Sequence, residues 1–258
     1  MALLNVQNIS KRFGGIVAVD DFSMTVEKGK IVGIIGPNGA GKTTIYNLIS
    51  KVYDIEGEGR IFLGDKEITK VKQEKVAKLG IARTFQNIRL FQGLSVLDNV
   101  KVSFDHHPRY SLIESLLLLP RRWKGEKKTK TEAMDCLKLV GLDHLAAEKP
   151  SNLPYGMQRR LEIARALALE PKVLLLDEPA AGLNPEEALE LVDFLKGIMN
   201  KLEISMVLIE HRMDVIMELC DKIYVQDFGK TIAVGTPMEI QTNPHVLAAY
   251  LGEEDSDA

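Results

Sequence analysis

The chain has 258 residues, 45% of them hydrophobic and 27% charged, with a formal net charge of −3. A chain this long buries about 70–75% of its unfolded surface and needs no covalent staple. Its near-neutral charge balance excludes the broad basic field on which nucleic-acid binding rests. The two cysteines, Cys136 and Cys220, form no CxxC or Cys/His cluster and read as reduced, buried small hydrophobes, which fits a cytoplasmic protein. The opening MALLNVQNISKRF has no long apolar core and does not read as a signal peptide. The longest apolar stretch, Leu116 to Leu119, is far short of the ~20 residues that span a bilayer, so the chain is expected not to cross one.

Along the chain, LLNVQNI, VAVDDFSMTV and KIVGII are short apolar runs divided by turn residues such as Glu27-Lys28-Gly29, and predict strands. A helix is expected from Lys42 to about Ser50, a strand at Arg60–Leu63, a helix between Gln73 and Leu79, and a strand-like edge at Ile81–Gln86. Residues 103–130 change in composition: His106-His107-Pro108, an apolar patch, then the basic run RRWKGEKKTK. They read as an insertion, part loop and part amphipathic helix, on a helical lobe continuing through Thr131–Val140. The basic run reads as a solvated face, with a partner or anionic lipid as the sharper alternative. The next helix runs from about Gly156 to Leu169, ending at Glu170-Pro171. Beyond it the pattern predicts a buried strand Val173–Asp177, a helix near Pro185–Asn200, a strand Ile204–Ile209 and a helix Met213–Leu219. A strand pair around Ile223–Val234, a helical end near His245–Leu251 and a frayed acidic tail EEDSDA complete the chain. There is no internal repeat.

The strongest motif is Gly36-Pro37-Asn38-Gly39-Ala40-Gly41-Lys42-Thr43, directly after the apolar run IVGII. Its glycines permit a tight loop whose N–H groups point at phosphate oxygens. Lys42 adds a positive charge for the β- and γ-phosphates, Thr43 offers a hydroxyl to Mg²⁺, and the helix after the loop presents its positive end. Gly36 through Thr44 are therefore the candidate ATP-binding residues, Thr44 among them. The second motif is Val173-Leu174-Leu175-Leu176-Asp177-Glu178-Pro179, in which two carboxylates end a strand apolar enough to be buried on both faces. Burying such a pair is costly unless a cation answers it. Mg²⁺ is expected to do so at Asp177, leaving Glu178 to polarise the attacking water.

The segment Leu153-Pro154-Tyr155-Gly156-Met157-Gln158-Arg159-Arg160-Leu161-Glu162-Ile163-Ala164-Arg165 resembles the signature of ABC-transporter ATPases. The resemblance implies an α/β fold: a P-loop NTPase core with a mixed sheet flanked by helices, an antiparallel β subdomain and a helical subdomain. Residues 1–86 and 170–258 would form the core with its β subdomain, and residues 87–169 the helical subdomain. In that family the turn at Gly156 meets the γ-phosphate held by the opposite subunit. Here Pro154 stands where the family has serine, and it brings neither a hydroxyl nor an N–H; Tyr155 and Met157 also depart from the usual Leu-Ser-Gly-Gly-Gln. By the same resemblance Gln86 would offer its amide oxygen to Mg²⁺ and couple to a membrane partner. His211, after Ile209-Glu210, would touch the γ-phosphate, and Phe13 would stack on adenine, with a core phenylalanine as the alternative. Ala181-Gly182-Leu183-Asn184 resembles the D-loop, with Asn184 in place of aspartate.

Within the family, IARTFQNIRLF, LSVLDNV, LPYG and the C-terminal Thr236-Pro237…Ala249-Tyr250-Leu251-Gly252 are similar to the branched-chain amino acid importer's ATPase. This implies ATP hydrolysis driving uptake, membrane permease subunits as partners, and a second ATPase subunit, itself or a related chain, in a head-to-tail dimer. It also implies an extracytoplasmic amino-acid-binding protein acting indirectly, no nucleic acid, and a peripheral place on the inner face of the cell membrane. The lipopolysaccharide-export ATPase is the nearest alternative. A soluble ABC ATPase of repair or translation would carry a coiled coil or tandem cassettes, and a GTPase would carry a base-reading Asn/Thr-Lys-x-Asp. This sequence has none of these.

Overall fold

The computed structural model describes residues 2–106 and 120–254. The chain forms two compact units, Met1–Gln86 with Lys172–Ala258, and Asn87–Pro171.

In the first unit, strands β1 (Ala2–Phe13), β2 (Ile16–Glu27), β4 (Arg60–Leu63) and β5 (Lys66–Glu67) form an antiparallel sheet in the order β2-β1-β4-β5. Each long strand buries alternate residues, such as Leu4 and Val6 or Phe22, Met24 and Val26, as period-2 patterning demands. A six-stranded sheet combines β3 (Ile31–Ile35), β6 (Ile81–Arg83), β7 (Val173–Asp177), β8 (Ser205–Ile209), β9 (Lys222–Asp227) and β10 (Lys230–Gly235) in the order β10-β9-β3-β8-β7-β6. All its pairs are parallel except β9 with the edge strand β10. Every residue of β3, β7 and β8 is buried, the signature of parallel strands covered on both faces.

Helices α1 (Lys42–Ile49) and α2 (Gln73–Leu79) contribute Ile45, Tyr46, Leu48, Ile49 and Val76 to the core shared by both sheets. The Tyr46 hydroxyl lies 3.0 Å from the Leu176 carbonyl and 2.5 Å from that of Val207, tying α1 to β7 and β8. Burial drives its pKa well above the ordinary phenol value, with the Asp177 charge pushing the same way. The expected strand edge at Ile81–Gln86 stops at Arg83: Thr84 N–H still donates to Leu175 O, but the Thr84 hydroxyl then takes the Asp177 N–H and the backbone turns away.

The second unit is helical, with α3 (Val96–Val102), a 3-10 turn at Ser103–His106, α4 (Pro120–Leu139), further turns at Asp143–Leu145 and Pro150–Asn152, and α5 (Tyr155–Leu167). Val96, Val100, Ala133, Leu137, Leu142, Leu161 and Ala164 are buried here. Asn99, fully buried on α3, accepts from Phe91 N–H and donates to the carbonyls of Phe91 and Ser95, fastening the preceding loop. The amphipathic-helix part of the predicted insertion lies in α4, whose Lys124, Lys127, Lys128 and Lys130 are exposed. His107, Pro108 and the apolar patch Leu116–Leu119 lie outside the described residues. Helix α5 ends two residues earlier than the expected Leu169, because Pro171 bars Glu170 from the right-handed helix and Glu170 takes φ 50°.

The first unit is completed by α6 (Pro185–Leu202), α7 (Met213–Leu219), α8 (Pro237–Gln241) and α9 (Pro244–Glu254). The helical end thus runs to Glu254, further than the sequence pattern implied, and residues 255–258 lie outside the described residues.

Candidate nucleotide and hydrolysis site

Four adjacent parallel strands, β3, β8, β7 and β6, all finish on the same edge of the sheet. Ile34, Ile209 and Asp177 stand side by side across β3, β8 and β7 in the ladder. With neighbouring strands about 4.8 Å apart, the loops leaving these four strand ends start within roughly 15 Å of one another. Those loops carry Gly36–Thr43 after β3, His211 after β8, Glu178 after β7 and Gln86 after β6. Ligands of open α/β sheets lie outside this carboxyl edge.

The loop after β3 needs glycine for stated reasons. Gly36 has φ 146°, and a Cβ there would sit 2.0 Å from the Gln226 carbonyl. Gly41, the residue before α1, has φ 96°, and its Cβ would meet the Ala18 carbonyl at 2.1 Å. Lys42 is buried, its ammonium donating to Gly36 O at 2.6 Å and Pro37 O at 2.7 Å, so the side chain curls back along the inside of the loop. Pro37 and Ala40 are buried; Asn38, Gly39 and Thr43 are exposed and Thr44 half-buried on the first turn of α1.

Glu178 is the hub. Its Oε2 accepts from Gln86 Nε2 at 2.8 Å, and its Oε1 lies 3.2 Å from His211 Nε2. Three residues from three different strand ends, Gln86, Glu178 and His211, thus stand in one row, with Gln86 hydrogen-bonded to Glu178 and the His211 ring 3.2 Å from its other oxygen. The Glu178 backbone is in the left-handed region, φ 46°, uncommon for a residue with a Cβ, and its N–H is tied to Ile209 O.

Asp177 is buried and its Oδ2 pairs with Arg83 Nη2 at 2.8 Å. Sequence reasoning demanded a cation beside Asp177 and nominated Mg²⁺; the fold supplies a guanidinium from β6. Arg83 is itself steadied by Asn47 Oδ1 at 2.6 Å and lies over the rings of Tyr46 and Phe85. Arg83 was missed because its partner is far away in the chain. The only available signal was its position on the strand leading to Gln86.

Glu210 was also missed. It is buried between β8 and His211, and its carboxylate accepts backbone N–H groups from Ala180, His211 and Arg212. Burial raises its pKa, opposed by those donors.

Phe13, at the end of β1, is 43% exposed and therefore not a core residue; its ring meets Tyr53 edge-on at 5.2 Å. Asn184 caps α6, accepting from Glu187 N–H while Glu187 accepts from Asn184 N–H, with Pro185 at the first helical position. Gly156 belongs to the second unit, on the first turn of α5 behind Pro154, which caps the helix with no side-chain hydrogen bond.

The ABC transporter family profile matches residues 19–181. The chain belongs to the ABC transporter family, as its ATP-binding, ATP-hydrolysing cassette. A second profile, for the branched-chain amino acid ATP-binding cassette transporter, matches residues 230–256. The chain is 41% identical over 251 residues to the Salmonella typhimurium high-affinity branched-chain amino acid transport ATP-binding protein LivG, covering 97% of this chain and 98% of the relative. It is 39% identical, over the same shares of each chain, to BraF of Pseudomonas aeruginosa, a protein of the same description. Among solved structures, an ATP-binding cassette of an ABC transporter in its ADP conformation superposes with a TM-score of 0.85 at 33% identity, covering 98% of this chain and 99% of that one.

Proposed function

We propose that this cassette powers the uptake of branched-chain amino acids, with Glu178 as the general base of hydrolysis. The observation that carries the hydrolytic part is the row Gln86–Glu178–His211 at the edge where the Gly36–Thr43 loop ends β3. In this reading the loop and Lys42 bind the triphosphate, Phe13 stacks on adenine, and His211 holds the γ-phosphate beside Glu178. Glu178 takes the proton of the attacking water, and Gln86 orients the carboxylate through its amide nitrogen. The oxygen donors Thr43 and Asp177, with Gln86 beside them, suit Mg²⁺, which binds through one or two carboxylates plus substrate phosphates. When bound, that ion neutralises charge on the phosphates. No group of three or more His, Cys, Asp or Glu gathers as a metal cage among the described residues, in keeping with an ion that arrives with its nucleotide.

The substrate class rests on the names of the relatives and on the profile over residues 230–256. No helix among the described residues is long and apolar enough to cross a membrane, so membrane permease subunits are the proposed route for the amino acid. The chain would dock on them from the inner face of the membrane. A second cassette, a copy or a related chain, would supply the Gly156 turn to the γ-phosphate. Deleting the gene and tracking radiolabelled leucine uptake tests this. Loss of uptake, restored by the wild-type gene and not by Glu178→Gln, is expected; undiminished uptake removes the substrate assignment.

A further inference from the structure

Glu210 has an unusual setting for a charged group. It is 2% exposed, and its oxygens are spent on main-chain donors. Oε1 accepts from Ala180 N–H at 2.6 Å, and Oε2 accepts from His211 N–H at 3.0 Å and Arg212 N–H at 3.3 Å. A second strap runs alongside, from Arg212 Nη1 to the carbonyls of Leu183 at 2.9 Å and Asn184 at 3.5 Å, with the guanidinium steadied by Asp214. Burying a carboxylate among amides is costly unless every oxygen is answered. Only a carboxylate offers acceptor oxygens on both sides. A glutamine would turn an N–H₂ toward an N–H, and a threonine would reach one donor at most.

We infer that Glu210 is a positioning residue that clamps the Ala180–Asn184 loop to the His211 loop and so fixes where His211 stands relative to Glu178. The two loops leave different strands, β7 and β8, and both begin within two residues of the Glu178–His211 pair. Without the clamp the main-chain tie between the two strand ends stops at Glu178 N–H to Ile209 O, short of His211, whose ring lies 3.2 Å from the Glu178 carboxylate. With it, His211 is seated by a backbone that is itself tied across the strand ends. Arg212 does the same work from the other side, through carbonyls rather than amides.

The inference rests on the proposed role of His211, and the test separates the two. ATP turnover and nucleotide affinity are measured on the full chain for Glu210→Gln, His211→Ala and the double variant. Glu210→Gln is expected to lower kcat by about 10- to 100-fold, as for one misdirected buried acceptor, with the nucleotide Kd unchanged within about threefold. Added to His211→Ala it should lower kcat by less than about twofold, because the two act through one group. A wild-type kcat in Glu210→Gln, multiplicative losses in the double variant, or affinity falling in step with kcat overturns the clamp. If His211→Ala itself turns over normally, the reading of His211 falls instead. Amide exchange then still decides the clamp: Ala180 N–H should exchange at least about tenfold faster in Glu210→Gln, and unchanged protection overturns it. Should Glu210→Gln not fold, Arg212→Gln is expected to show the same loss of kcat at constant Kd, and no loss overturns the clamp.

Discussion

At the carboxyl edge of the six-stranded sheet, the acidic side chains are held by partners from other strand ends: Glu178 by Gln86 and His211, Asp177 by Arg83, and Glu210 by the Ala180 amide in addition to the amides of His211 and Arg212 beside it. At the start of α5 the opposite holds. Pro154 offers no side-chain cap, Tyr155 and Met157 are exposed, and the order lies one turn behind, where buried Arg159 pairs with Glu162 at 2.8 Å. In the first region the side chains from different strand ends touch one another, which constrains their identity. The second presents a helix N-terminus, whose backbone dipole survives a change of residue. On the proposed reading, that difference fits Pro154, Tyr155 and Met157 standing where the family has other residues while the Asp177–Glu178 pair is intact.

The comparison breaks most sharply at Glu178. Glu178→Gln should bind ATP normally but hydrolyse it about 10²–10⁴-fold more slowly; steady-state phosphate release measures this, and normal turnover would remove Glu178 from its role. In the second region the corresponding vulnerability is behind the tip. Glu162→Ala leaves the Arg159 guanidinium buried without its carboxylate and should cost about 3–5 kcal/mol, read from urea unfolding; a cost under about 1 kcal/mol would mean that Tyr155 and the helix satisfy Arg159 without it. Lys42→Ala should weaken nucleotide binding by about 100-fold, from loss of a charge-assisted contact to phosphate. Titration calorimetry finding retained micromolar affinity would deny the loop its function. The smallest effect is at Asn184, where alanine should cost about 1 kcal/mol through loss of the α6 cap, with hydrolysis little changed. A steep loss of turnover there would give Asn184 a place in the chemistry.

Much of the edge was legible because its signals are local. A glycine loop before Lys42, or two acids ending an apolar run, declares itself within a few residues, and the parallel strands declare themselves by being apolar throughout. Residues whose meaning depends on a distant partner were not legible. Arg83 reads as any strand-end cation until Asp177 is placed beside it, and Glu210 reads as the residue before a histidine until Ala180 arrives. Asn184 was read against a family pattern and passed over as a cap, although Asn-Pro-Glu-Glu carries the capping-box spacing. Thr236-Pro237-Met238-Glu239 carries it too, and α8 was likewise passed over.

The left-handed backbone of Glu178 reverses a familiar ordering. Alanine ordinarily outranks glycine in a folded chain, yet at φ 46° a methyl group is a handicap. Of two variants that both lack the carboxylate, Glu178→Gly should therefore be more stable to unfolding than Glu178→Ala, by about 1 kcal/mol, as read from thermal melts. The position proposed for the general base is thus one where the backbone itself favours glycine over alanine.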